Sequence, residues 1–172
     1  QKMSKINQEL ASLFTKFGQN LLADESNGMV VIKSEADLAG CSASMKDGYA
    51  NAAKERKLDG SWVISNTRSS VQPFLTYAEN RAIREKVWQM FINRGDNGDE
   101  HDNNKVITQI LNLRKERAKL LGFKNHAEWR LQNSMAKSPE RAMELMMSVW
   151  PAAIARVKTE VSDMQAMADK EG

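Results

Sequence analysis

Hydrophobic positions along the chain follow a helical period over most of its length and a strand-like one in two short places. Ile6, Leu10, Leu13, Phe14, Phe17 and Leu21 fall at offsets that line one face of a helix. The turn formers of residues 24–28 are expected to end it. The β-branched run at residues 29–32 predicts a strand. Ser34 and Ser42 are placed to cap a helical turn and a longer helix reaching about Lys57. A turn at 57–60 and a second strand at 61–65 follow. Two short strands around a helix predict a small ribbon, stable only with helices packed on it.

From Ser70 onward the helical period takes over. Pro73 suits the first turn of a short helix, where its missing N–H costs nothing. Asn80 can cap the next helix, whose inner stripe is Ile83, Val87, Met90 and Phe91. After a loop at 95–99, a helix is predicted from about residue 102 to 121, with Val106, Ile110, Leu113 and Leu120 among its apolar positions. Gly122 stands where a left-handed helix terminus belongs. Asn125 with Glu128 has the spacing of a capping box and opens a short helix carrying Trp129 and Leu131. The last helix has the clearest start: Ser138 as cap, Pro139 as first residue, and Glu140 at the positive end of the dipole. Its apolar spacing persists through Pro151 to about Asp169, so one helix with a kink near Met147 is expected. The pattern predicts a mainly α fold, residues 1–172 forming a single helical segment with one small two-stranded β element.

Composition narrows this little. A chain of 172 residues, 41% hydrophobic and 27% charged, can bury a core and is not disordered. The net charge of +3 is spread thin, and basic residues alternate with acids, as over residues 81–86. That is a solvated helix face, so nucleic acid is not an expected partner. Cys41 is the only cysteine and can form no internal disulfide; it reads as a small buried side chain. No apolar run approaches the roughly 20 residues that cross a bilayer, so no membrane partner is expected. No signal peptide is visible, and a helical pattern already under way at Gln1 suggests a sequence starting inside a longer one. The cytoplasm is the expected compartment, with the periplasm as alternative.

Candidate chemistry is sparse. Zinc needs three or four ligands at workable spacing, and His101, His126 and Cys41 are dispersed. Neither histidine belongs to a His-Glu-x-x-His helix. The acidic loop at 96–102 lacks the glycine position and closing Glu of a calcium loop, and reads as a turn followed by a helix cap. No phosphate-cradling glycine loop and no nucleophile elbow occurs. No catalytic, cofactor-binding or metal residue is therefore assigned. The 10 methionines, several at helical spacing in the last helix, read as core filler. Trp62, Trp88, Trp129 and Trp150 read as packing anchors with one edge near water.

Three blocks carry a resemblance: residues 92–103 (Ile-Asn-Arg-Gly-Asp-Asn-Gly-Asp-Glu-His-Asp-Asn), residues 119–128 (Lys-Leu-Leu-Gly-Phe-Lys-Asn-His-Ala-Glu) and residues 133–140 (Asn-Ser-Met-Ala-Lys-Ser-Pro-Glu). In this order they resemble the thimet oligopeptidase-like zinc metallopeptidases, and within them the bacterial peptidyl-dipeptidase (dipeptidyl carboxypeptidase) branch. Residues 59–64 match more loosely. The resemblance implies a large helical enzyme with a deep channel, a zinc held by a His-Glu-x-x-His helix and a downstream Glu, and release of C-terminal dipeptides from short peptides. Those ligands lie C-terminal to the region seen here, so no zinc and no catalytic residue is carried over. The implied role is part of the channel wall, partnered by the rest of the same polypeptide. A free-standing helical interaction module is the alternative.

Overall fold

A computed structural model describes residues 1–171. Its elements are α1 (Lys2–Asn27), β1 (Met29–Ile32), one 3₁₀ turn (Glu35–Leu38), α2 (Ala43–Glu55), β2 (Trp62–Ser65), α3 (Arg68–Tyr77), α4 (Arg81–Ile92), α5 (Asn104–Leu120), α6 (His126–Leu131) and α7 (Pro139–Glu171). The mainly α fold with one two-stranded element is as the periodicity predicts. Residues 1–112 and 113–172 form two compact units.

The first unit is organised on the ribbon. β1 and β2 pair antiparallel, with Met29 opposite Ser65 and Ile32 opposite Trp62. α2 and α3 contact β2, and α4 contacts β1, which supplies the helical cover so short a ribbon requires. The core gathers Ile32, Leu38, Tyr49, Ile64, Val71, Phe74, Ala78 and Val87. Tyr49 meets Phe74 edge to face at 6.0 Å, and its hydroxyl donates to the Ser70 carbonyl at 3.2 Å. Gly40 closes a tight corner: a Cβ there would lie 2.0 Å from the Tyr77 carbonyl oxygen, so no other residue fits.

Most caps act as their spacing predicts. The side chains of Ser42, Asn80 and Asn125 accept from the amides of Met45, Ile83 and Glu128 respectively. Ser34 precedes its turn without a side-chain cap bond. Three boundaries depart from expectation. α1 does not stop at Asp24 but runs to Asn27, because Asp24 is buried and held by a distant loop. Pro73 lies inside α3 rather than in its first turn, since Arg68 already begins that helix. α5 starts at Asn104, two residues late, because the Asp102 carboxylate takes the Asn104 and Gly98 amides.

In the second unit, α5 ends as the sequence indicates. Gly122 has φ +83°, its N–H donates to the Lys119 carbonyl, and the Phe123 N–H donates to the Ala118 carbonyl. The Ser138 hydroxyl accepts from the Arg141 amide at 3.3 Å to open α7. α7 then continues as one helix through Pro151. Its methionines are not core: Met143, Met146, Met147, Met164 and Met167 are all exposed, as is Trp150.

Candidate functional site

Among the described residues, polar side chains converge in each unit. In the first unit they lie where α1 meets the loop that the resemblance blocks begin with. One carboxylate oxygen of Asp24 accepts from the Gly95 N–H at 2.6 Å and from Asn97 Nδ2 at 3.0 Å. Asn20, one turn earlier on α1, donates through Nδ2 to Asn103 Oδ1 at 2.9 Å. Asn103 in turn donates through Nδ2 to the Phe17 carbonyl and through its own N–H to the Gly95 carbonyl. Asn20, Asp24 and Asn103 are all buried, Asn103 to 1% exposure.

Such groups are costly to bury unless they are partnered, so the loop and α1 hold each other in one arrangement. Asn66 extends the network, donating to the Asp24 carbonyl at 3.1 Å. Its Oδ1 is buried without a hydrogen-bond partner among the described residues. Outside this network Asp102 organises the loop tip, and the amides of Asn104 and then Gly98 hold its carboxyl below the usual carboxylate range. The arrangement positions backbone. It places no acid opposite a base. Periodicity could not show it, because the side-chain bonds that join α1 to the rest of the network span 42 to 86 residues.

In the second unit the convergence is cationic. The Arg117 guanidinium lies 4.5 Å from the Trp129 ring centroid, and that of Arg130 lies 5.6 Å away. The His126 ring lies tilted against the same ring, 5.4 Å between centroids. Burial, and then the charges of Arg114, Arg117 and Arg130, pull His126 below the usual histidine value. Its Nδ1 is buried and has no hydrogen-bond partner among the described residues.

These groups do not suit zinc. The other histidine, His101, has its Nε2 3.6 Å from Glu100 Oε1, one pair rather than a ligand set. A dication beside His126 would meet three guanidinium charges. Among the described residues no three His, Cys, Asp or Glu side chains are grouped closely enough to hold a metal ion. A cleft of about 750 Å³ in the first unit is lined by Glu25, Arg68, Gln72 and Tyr77 among others. Its lining holds no histidine, and Arg68 is bonded to Gln72 at 3.1 Å.

Comparison with known proteins adds what geometry does not. Residues 74–172 match Peptidase family M3. Dipeptidyl carboxypeptidase of Escherichia coli is 36% identical over 170 residues, which is 99% of this chain and 25% of that protein. The Salmonella typhimurium dipeptidyl carboxypeptidase is 33% identical over the same shares. Organellar oligopeptidase A of Arabidopsis thaliana is 33% identical over 184 residues, covering all of this chain and 22% of the plant protein. The chain thus spans about a quarter of the length of the curated relatives it matches.

Proposed function

This chain belongs to Peptidase family M3, and on that premise we propose that it forms part of the non-catalytic helical channel wall of a zinc-dependent peptidyl-dipeptidase. The whole protein would release C-terminal dipeptides from short peptides. One observation carries the reading: the chain aligns end to end with a quarter of dipeptidyl carboxypeptidase, while its own donors are dispersed or ringed by positive charge. Peptide hydrolysis needs an activated water and a stabilised oxyanion, and packed wall helices supply neither. Zinc would be held by residues elsewhere in the polypeptide. The partners are the peptide substrate and the remaining polypeptide; no described helix is long and apolar enough to cross a membrane. We place the protein in the cytoplasm, in keeping with a single cysteine.

The test is mass spectrometry of a pentapeptide incubated with the 172-residue chain and with the longer gene product that contains it. The chain alone is expected to release nothing, with or without added zinc. The longer product is expected to carry a His-Glu-x-x-His motif and to release C-terminal dipeptides in a zinc-dependent way. Dipeptide release by the short chain, internal cleavage by the longer one, or a longer gene without the motif would each overturn the proposal.

A further inference from the structure

α7 is 33 residues long, and at 100° per residue Met143, Met146, Trp150, Val157, Val161 and Met164 fall within one narrow arc. From Met143 to Met164 no charged residue shares that arc. A stripe so patterned belongs against another surface, yet Trp150 is 58% exposed, Val157 51% and Met164 60%. We propose that this stripe is a docking seam covered by an apolar helical surface of the same peptidase polypeptide, lying outside these 172 residues. This rests on the functional reading above.

Length identifies the occupant. The relatives are about four times as long as this chain, so far more polypeptide is at hand in the same molecule than a second copy would bring. The stripe runs for ~30 Å at 1.5 Å per residue, which calls for a partner helix of about 20 residues. With no charge in the arc, the partner face must be apolar as well, and the flexible methionines can pack against varied ridges. A lipid surface fits worse. Acidic residues outnumber basic ones along α7, and anionic headgroups would repel that charge.

Hydroxyl-radical footprinting of the methionines, with light scattering, tests the seam on the isolated chain and on the longer gene product. The expected result is a monomeric isolated chain whose Met143, Met146 and Met164 oxidise freely. In the longer product their oxidation should be at least tenfold slower. Equal oxidation in both would overturn the proposal, even if the longer product is an active peptidase. So would protection in a dimeric isolated chain, which makes the cover a second copy. Protection in the monomeric isolated chain would make the cover residues 1–112, and that also overturns it. Failure of the functional reading shows separately, as a protected stripe in a longer product that lacks the zinc motif and dipeptide release.

Discussion

Asp24 shows how a residue that looks like a helix breaker becomes a structural centre. Its carboxylate occupies the end of α1 because two donors from the 95–97 loop, backbone and amide, need an acceptor there. Replacing it with Ala leaves the buried Gly95 N–H without this acceptor and removes the partner of the part-buried Asn97 amide. The expected loss is about 2–3 kcal/mol, the range for removing a charged acceptor from satisfied donors. Urea denaturation of Asp24→Ala against the parent measures it. A change below a few tenths would mean that the loop finds water instead. The half-buried Glu25, next in sequence, gives the control substitution.

At the scale of elements, helix ends are set by short-range chemistry, and one of them is made with the wrong residue. α2 terminates at Lys57 with φ +60°; the Leu58 N–H donates to the Ala53 carbonyl and the Lys57 N–H to the Lys54 carbonyl. This is the same closure that Gly122 makes for α5, but a lysine Cβ crowds the backbone in the left-handed region. Lys57 is exposed. Lys57→Gly is therefore expected to stabilise the protein by about 1 kcal/mol, seen as a higher denaturation midpoint at unchanged slope. α7 illustrates the opposite case. Its interior Pro151 removes the donor that the Met147 carbonyl would use, yet helical spacing on both sides keeps the element continuous.

For the molecule as a whole, the ribbon-centred core links stability to alkaline pH. Burial, and secondarily the charge on Cys41, pushes the Tyr49 hydroxyl up to about 12. An unfolded tyrosine ionises near 10. Between these values the unfolded chain gives up its proton first, so this contribution is intact below pH 10 and is lost as pH rises towards 12. Denaturation midpoints of the parent and Tyr49→Phe at pH 9 and 11.5 give the measurement. The parent is expected to lose more stability over that interval, whereas Tyr49→Phe lacks this part of the slope. Equal losses would show that Tyr49 ionises alike in the folded and unfolded chains.

The sequence by itself determined the helical class, both strands and most caps, because each depends on a side chain and an amide three or four residues away. Ser42, Asn80, Asn125 and Gly122 could be read from spacing alone for that reason. It also carried the family in three blocks, without explaining them. Only the tertiary structure revealed that Gly95, Asn97 and Asn103 serve α1, since their partners lie beyond any local period. The same limit applies to the methionine stripe of α7. Periodicity says that a helix has an apolar face, but only packing decides what covers it, and here Trp150 and its neighbours are exposed.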